Sequence, residues 1–263
     1  MARLMVAVVA VPGILALLYV APPIGFYLLI AAASIVAALE LFGMVAPNDK
    51  PTQLIGALIT VTVSAVIWFF GKDPRVIITV LIVVPAFGLL IPLFRLGDIT
   101  TAGLRSATFA FGPLYCAVPL TLLALMVRDY HPGFVILSLC LSWLSDTGGY
   151  FAGRFFGKHK LYEAVSPKKT IEGAIGGLLG ATLGAVIGSL WYLKGRLLLT
   201  HAIPLALVGA ALGQAGDLSE SLLKRSVGVK DSGGILPGHG GILDRIDATV
   251  LTGSTVYLYL LWR

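Results

Sequence analysis

The chain has 263 residues, of which 57% are hydrophobic and only 12% are charged, and its formal net charge is +6. Soluble domains carry about 25% charged residues, and disordered chains combine few apolar residues with many charges, so this composition excludes both classes. We therefore predict an all-α polytopic membrane protein that forms a single integral-membrane domain over residues 1–263.

Nine apolar stretches approach the length of about 20 residues that a membrane-spanning helix needs. In chain order they lie at 4–20, 24–46, 53–70, 76–94, 107–127, 133–145, 171–193, 197–215 and 248–262. The sixth is short, and we expect it to continue through Tyr150. The spans of the N-terminal part, up to about residue 130, carry no recognisable motif, so the chemistry is expected in residues 131–263.

The distribution of charge predicts the orientation. If nine spans alternate, 13 of the 19 Lys and Arg residues fall on the side of the N-terminus. The positive-inside rule then places the N-terminus in the cytoplasm. The basic excess orients the loops and gives no reason to expect nucleic-acid binding. Most acidic residues lie on the same face, which topology does not require, and this mixture of acids and bases indicates a site.

The segment from Asp217 to Asp247 is rich in charge. Its acidic residues are Asp217, Glu220, Asp231, Asp244 and Asp247, and its basic residues are Lys224, Arg225, Lys230, His239 and Arg245. If the eighth helix runs past the membrane surface, Asp217, Glu220, Ser221 and Lys224 share one helix face. Asp244 and Asp247 are three apart at the start of the ninth helix, where simple helix capping is the alternative interpretation.

A glycine-rich stretch lies between these carboxylates, with five glycines among residues 233–241, including Gly240 and Gly241. Such a backbone can turn its N–H groups toward an anion, although a flexible surface loop is the alternative. Carboxylates on both sides suit Mg²⁺, which binds one or two carboxylates and takes other ligands from water and phosphates. The sequence thus predicts phosphate chemistry at a membrane surface.

A second polar loop agrees with this interpretation. Asp146 closes the sixth span, and Lys168, Lys169, Thr170 and Glu172 precede or open the seventh. The acids could be ordinary helix-end residues, and the lysines could simply contact anionic lipid headgroups. Neither alternative explains why glycines, hydroxyl groups and acids recur beside the lysines.

The run SESLLKRSVGVKDSGGILPGHGGILDRID at 219–247 resembles the signature of the phosphatidate cytidylyltransferases, also called CDP-diacylglycerol synthases. The matching positions are Ser221, Lys224, Arg225, Lys230, Asp231, His239, Gly240, Gly241, Asp244, Arg245 and Asp247. Residues 145–161 and 166–173 resemble the family's second conserved region. The resemblance covers the C-terminal half of the chain.

The resemblance implies a reaction of CTP with phosphatidic acid that gives CDP-diacylglycerol and pyrophosphate, in phospholipid biosynthesis and with Mg²⁺ as cofactor. It assigns the metal first to Asp217 and Asp244, with Asp231 and Asp247 as second choices, and the number of carboxylates leaves room for a second metal ion. It also implies a homodimer surrounded by membrane lipids.

The candidate residues follow from the same reaction, since two anions must be positioned and their charge offset. The catalytic candidates are Asp217, Lys224, Arg225, Asp231, Asp244, Arg245 and Asp247. The substrate-binding candidates are Asp146, Lys168, Lys169, Thr170, Glu172, Ser221, Lys230, His239, Gly240 and Gly241. For His239, contact with phosphate and support of the glycine-rich loop stay equal alternatives. Glu40, an acid within a span, either supports the cavity or has a structural partner.

Two rival functions stay open. One is a CTP-dependent enzyme acting on another lipid, such as an ether-lipid phosphate or a polyprenol. The other is a multi-pass transporter, although transporters tend to place polar sites near the midplane. The compact chain, without a long hydrophilic N-terminal extension, favours a bacterial cytoplasmic membrane with the site facing the cytoplasm.

Overall fold

A computed structural model describes residues 12–95, 97–234 and 240–263, and helices dominate it. The α-helices are α1 (Pro23–Val45), α2 (Lys50–Phe70), α3 (Pro74–Phe94), α4 (Ala102–Asp129), α5 (Gly133–Phe156), α6 (Ile171–Leu190), α7 (Leu199–Ser226) and α8 (Leu243–Trp262). A 3₁₀ turn at Ile99–Thr101 leads into α4, and residues 12–19 are also helical.

Within the described ranges, seven helical segments are long and apolar enough to cross a membrane, namely α1 to α7 with the 3₁₀ turn counted into α4. The chain is therefore an all-α polytopic membrane protein, as predicted. Much of the predicted first span lies outside the described residues, and α8 opens with a charged turn. The count of nine spans and the cytoplasmic N-terminus stay predictions.

Several helix starts follow directly from local sequence. Asp49 accepts a hydrogen bond from the N–H of Thr52 before α2, and Asp73 does the same for Arg75 before α3. In both cases a proline occupies the first turn, where its missing N–H costs nothing. α5 continues through Phe156, so the sixth span extends past Tyr150 as expected.

The chain forms two compact units. The first comprises residues up to Leu125 together with Asp231–Asp244, and the second comprises Met126–Lys230 and Arg245–Arg263. In the first unit, the ring of Phe42 in α1 occupies the space beside Gly56 in α2. The Ser64 and Thr121 hydroxyl groups are 2.8 Å apart and tie α2 to α4. The single integral-membrane domain that we predicted from the composition stays a prediction.

In the second unit, α5 and α6 pack backbone to backbone through glycines. A Cβ on Gly180 would strike the carbonyl oxygen of Leu144, and a Cβ on Gly148 would strike that of Gly176. Small residues at such positions let membrane helices approach closely. The close approach brings the end of α5 against the start of α6.

An antiparallel hairpin connects these two helices, and the sequence did not predict it. Strand β1 (Lys160–Tyr162) pairs with β2 (Ser166–Thr170), with Lys160 opposite Thr170. Because β2 ends where α6 begins, its lysines are held beside the helix start. The loop therefore has a defined shape, although its composition suggests only a polar connection.

We predict that Gly180→Ala lowers the melting temperature of the protein in detergent, because the new methyl group has to displace backbone of α5. Overpacking of this kind costs about 1–3 kcal/mol. Gly103→Ala is the matched control, since Gly103 lies in α4 with open space around it and alanine favours a helix by about 0.5–1 kcal/mol. Equal melting temperatures for the two variants would contradict the proposed packing constraint.

Candidate active site

A cavity of about 370 Å³ opens in the second unit. It is bounded by the C-terminal end of α5, the hairpin, the first turn of α6 and the polar end of α7. The lining residues are Ser145, Asp146, Gly149, Tyr150, Gly153, Arg154, Leu161, Lys168, Lys169, Thr170, Gly173, Ala174, Gln214 and Asp217. Five residues predicted from the sequence thus meet in one place: Asp146, Lys168, Lys169, Thr170 and Asp217.

An ion pair joins two of these elements. The Nζ atom of Lys169 in β2 lies 2.5 Å from Oδ2 of Asp217 in α7. Both side chains keep about a quarter of their surface exposed, at 29% and 26%. Each can therefore still reach a ligand in the cavity while the other holds it in place. Lys168, its neighbour in sequence, adds a second positive charge to the lining.

Gln214 connects the helices that line the cavity, and sequence analysis did not identify this residue. Its Nε2 atom donates to Oγ of Ser145 at 3.1 Å and to the carbonyl oxygen of Ala174 at 3.0 Å. One side chain of α7 thereby binds both α5 and α6. A Cβ on Gly177 would lie 2.6 Å from this nitrogen. The available signal was spacing, because Gln214 precedes Asp217 by one helical turn.

Tyr150 and Arg154 are two exposed residues of the lining. Nη1 of Arg154 donates to the Tyr150 hydroxyl at 2.7 Å, and the guanidinium lies 5.9 Å from the centre of the same ring. They are one helical turn apart on α5. Both residues fall within the sequence region that resembles the conserved family region, but neither was assigned a role. The structure makes Arg154 a third cationic residue at the cavity.

Thr170 and Glu172 have local structural partners. Thr170 caps α6, where its Oγ1 accepts the N–H of Gly173 at 3.1 Å. The Glu172 carboxylate accepts the backbone N–H groups of Lys158 and His159 at 3.1 and 3.3 Å. Its other oxygen is 2.6 Å from Nδ1 of His159. Glu172 therefore fixes the loop before the hairpin, and a direct contact with substrate stays a prediction.

Asp247 lies in the first turns of α8, before the apolar part of that helix, and accepts the N–H of Ala248 at 2.6 Å. Burial raises the pKa of its carboxyl group to about 7, and the negative charges of Asp217 and Asp146 contribute to this rise. The three aspartates are thus close enough to repel one another. A bound cation would relieve this repulsion.

The aspartates can be tested against the requirements of a metal ion. Among the residues that the structure describes, no three His, Cys, Asp or Glu side chains are grouped closely enough to enclose one. Mg²⁺ does not need such a cage, because it keeps water and takes ligands from substrate phosphates. Oxygen donors that repel one another beside an open cavity fit this mode of binding.

Lys224, predicted to contact phosphate, is instead buried in an ion pair. Its Nζ atom lies 3.1 Å from Oε1 of Glu220, one turn earlier in α7, and Glu220 is fully buried. Arg225 donates to the carbonyl oxygen of Val229 at 2.9 Å, at the end of the same helix. Both cations thus have partners within the polar end of α7, and their contact with phosphate stays a prediction.

The glycine-rich segment belongs to the first unit, and the amide of Gly241 has a partner within the chain. Oδ2 of Asp244 accepts the N–H groups of Ser232 at 3.0 Å and Gly241 at 2.9 Å. Gly240 has a φ of 78°, a conformation that favours glycine. The expectation that these amides point at a phosphate is therefore corrected for Gly241, because a carboxylate of the protein already takes that position.

The remaining predicted residues differ in how exposed they are. Lys230, Asp231 and Arg245 are exposed, Ser221 is half-buried, and His239 lies outside the described residues. Their roles in binding or catalysis stay predictions, as does a metal site that includes Asp244 or Asp231.

Comparison with known proteins places these features in a family. A family model described as "Cytidylyltransferase family" matches residues 1–262. The chain is 46% identical over 115 residues to the phosphatidate cytidylyltransferases of Staphylococcus haemolyticus and Staphylococcus aureus. It is 48% identical over 118 residues to that of Staphylococcus epidermidis. Each match covers 44% of this chain, and the chain spans 44% of the length of each of these curated relatives.

We predict that Asp247→Asn stabilises the protein at pH 8 in the presence of EDTA. Since the pKa of Asp247 is raised above its unfolded value near 4, the folded state binds a proton that the unfolded state does not. Stability therefore falls as the pH rises from about 4 to about 7 and stays low above that range. The asparagine variant lacks this loss, so its melting temperature exceeds that of the wild type by a few degrees at pH 8.

The difference shrinks toward pH 4, and thermal unfolding followed by tryptophan fluorescence across this range measures it. Added Mg²⁺ raises the wild-type melting temperature more than that of the variant. A variant that is less stable than the wild type at pH 8 would contradict the electrostatic interpretation.

Proposed function

Because this chain belongs to the cytidylyltransferase family, we propose that it transfers the cytidylyl group of CTP to phosphatidic acid and releases CDP-diacylglycerol and pyrophosphate. The observation that carries the proposal is the Lys169–Asp217 pair, which lies in a cavity lined by further cations. The names of the staphylococcal relatives supply the substrate. The protein is then a nucleotidyltransferase of phospholipid biosynthesis.

The reaction is a phosphoryl substitution. An oxygen of the lipid phosphate attacks the α-phosphorus of CTP, a new P–O bond forms, and the bond to the β-phosphate bridging oxygen breaks. The electron pair leaves with pyrophosphate. A phosphate monoester with a second pKa near 6 is mostly dianionic at neutral pH, so the attack needs no strong general base. The main obstacle is the approach of two anions.

The cations of the cavity address this obstacle. Lys168, Lys169 and Arg154 offset the charge of the phosphates, with arginine suited to two oxygens at once and lysine to a single contact. The N-terminus of α6 at Thr170 adds the positive end of a helix dipole. Positioning and charge compensation are the principal means by which proteins catalyse phosphoryl transfer.

The proposed cofactor is Mg²⁺, which supplies charge neutralisation at the phosphate oxygens. Asp217 is the first candidate to hold it, with Asp247 and Asp146 beside it. The resemblance adds Asp244 and Asp231, and it allows a second ion. Asp217 is paired with Lys169, so this lysine keeps the carboxylate oriented and would be available to phosphate if a cation replaced it as the partner of Asp217.

A lipid substrate suits the position of the cavity at the ends of membrane-crossing helices. The acyl chains stay in the bilayer while the headgroup enters the cavity, and CTP arrives from water. We propose that the protein lies in a bacterial cytoplasmic membrane, with the cavity facing the cytoplasm and with a homodimer as the functional form.

We expect Asp217→Asn to reduce the conversion of CTP and phosphatidic acid by at least about 100-fold, because even supporting residues of a metal site contribute 10–100-fold. The assay uses purified protein with Mg²⁺ and radiolabelled CTP, with CDP-diacylglycerol separated by chromatography. Glu163→Gln is the control, since Glu163 is exposed in the hairpin turn. This substitution also removes one negative charge.

Wild-type activity in Asp217→Asn would refute its metal role. Activity of the wild-type protein with an ether-lipid phosphate but not with phosphatidic acid would refute the proposed substrate.

The orientation is tested by labelling single cysteines in a variant without Cys116 and Cys140. Glu163 and Lys194 are both exposed, and they lie beyond opposite ends of α6, which is long enough to span about 30 Å. In intact cells, a membrane-impermeant maleimide should label Lys194→Cys and spare Glu163→Cys until the membrane is permeabilised. The reverse pattern would place the cavity outside the cytoplasm.

A further inference from the structure

Glu40 is a buried acid within a membrane-crossing helix, and its carboxylate binds a segment about 200 residues away in sequence. It is 6% exposed in α1. Its Oε2 atom accepts the Ser232 hydroxyl at 3.1 Å and the N–H of Leu243 at 2.9 Å. Its Oε1 atom accepts the N–H of Ile242 at 3.0 Å. Three donors that flank the glycine-rich segment therefore meet one carboxylate.

Two glycines leave the space that this carboxylate occupies. A Cβ on Gly233 would lie 2.7 Å from Oε1 of Glu40, and a Cβ on Gly241 would lie 2.5 Å from Oε2. Only glycine leaves the necessary space at these two positions. Because α8 begins at Leu243, the negative charge of Glu40 also lies at the positive end of that helix. These contacts compensate the cost of burying a carboxylate.

The same segment positions Asp244. Asp244 follows Leu243 directly, and its Oδ2 atom accepts the N–H groups of Ser232 and Gly241. Ser232 thus binds both acids, Glu40 through its hydroxyl group and Asp244 through its N–H. Glu40 holds the backbone on both sides of the glycine-rich segment, and Asp244 projects from that backbone.

We propose that Glu40 is a positioning residue that fixes the start of α8 and thereby holds the Asp244 carboxylate in a single orientation. This inference rests on the proposed function, in which Asp244 is a candidate ligand of Mg²⁺. Glu40 itself does not touch the cation, because its oxygens bind the Ser232 hydroxyl and two backbone amides. Its role is to hold Ser232 and the start of α8 in fixed positions.

Glu40→Gln tests this role, since glutamine keeps the size but replaces one acceptor oxygen with a donor that faces other donors. Hydrogen exchange of the peptide containing residues 240–244 should become at least about tenfold faster, as expected for the loss of a hydrogen bond to a charged group. The Mg²⁺ concentration that gives half-maximal cytidylyl transfer should rise by about tenfold, as for other outer residues of metal sites. The rate at saturating Mg²⁺ should largely recover.

The Mg²⁺ dependence separates positioning from simple loss of fold, because a smaller folded fraction lowers the rate without changing the half-maximal concentration. Glu163→Gln serves again as the matched substitution and should change neither measurement. If Glu40→Gln does not fold, Ser232→Ala replaces it. That variant keeps the carboxylate and removes one donor, so both shifts should be smaller and in the same direction.

Faster exchange with an unchanged Mg²⁺ dependence would overturn the proposal and leave Glu40 as a helix cap only. Unchanged exchange in Glu40→Gln would also overturn the proposal. A wild-type protein without cytidylyl transfer would refute the proposed function instead. Exchange measured in EDTA and in MgCl₂ would then decide the role of Glu40. Protection by Mg²⁺ at residues 240–244 that is present in the wild type and lost in Glu40→Gln supports it, and any other pattern overturns it.

Discussion

The second unit depends on the close approach of α5 and α6, which is possible only because glycines face each other along the contact. Gly148 and Gly180 each leave room for a carbonyl oxygen of the opposite helix. In a lipid environment this packing replaces the hydrophobic effect that would hold helices together in water. The cavity exists because these two helices meet at the hairpin while α7 contributes Gln214 and Asp217.

Two ion pairs that involve α7 differ in how deeply they are buried. Lys224 forms a buried ion pair with Glu220 at the polar end of α7, whereas the Lys169–Asp217 pair is partly exposed at the cavity. A buried pair is costly to break, so it supports the helix, while an exposed pair can exchange its partner for a substrate or a cation. The acids Asp217 and Glu220, about one turn apart in α7, therefore take part in ion pairs of different exposure.

Several backbone amides also bind charged groups of the same chain. The glycine-rich segment has the composition of a phosphate-binding loop, yet the amides of Gly241, Ile242 and Leu243 bind the carboxylates of Asp244 and Glu40. At Gly241, a carboxylate of the protein thus occupies the position that the sequence suggested for a ligand. These bonds hold residues 241–243 in place, and preorganisation of this kind reduces the cost of binding.

The sequence by itself determined the membrane class, the helices and the family, because hydrophobic length and a contiguous motif are local properties. It also identified Asp146, Lys169 and Asp217, which proved to line one cavity. Only the tertiary structure decided which polar residues face that cavity and which bind one another. Gln214 and Glu40 act through contacts distant in sequence, and a single sequence does not show which distant residues meet.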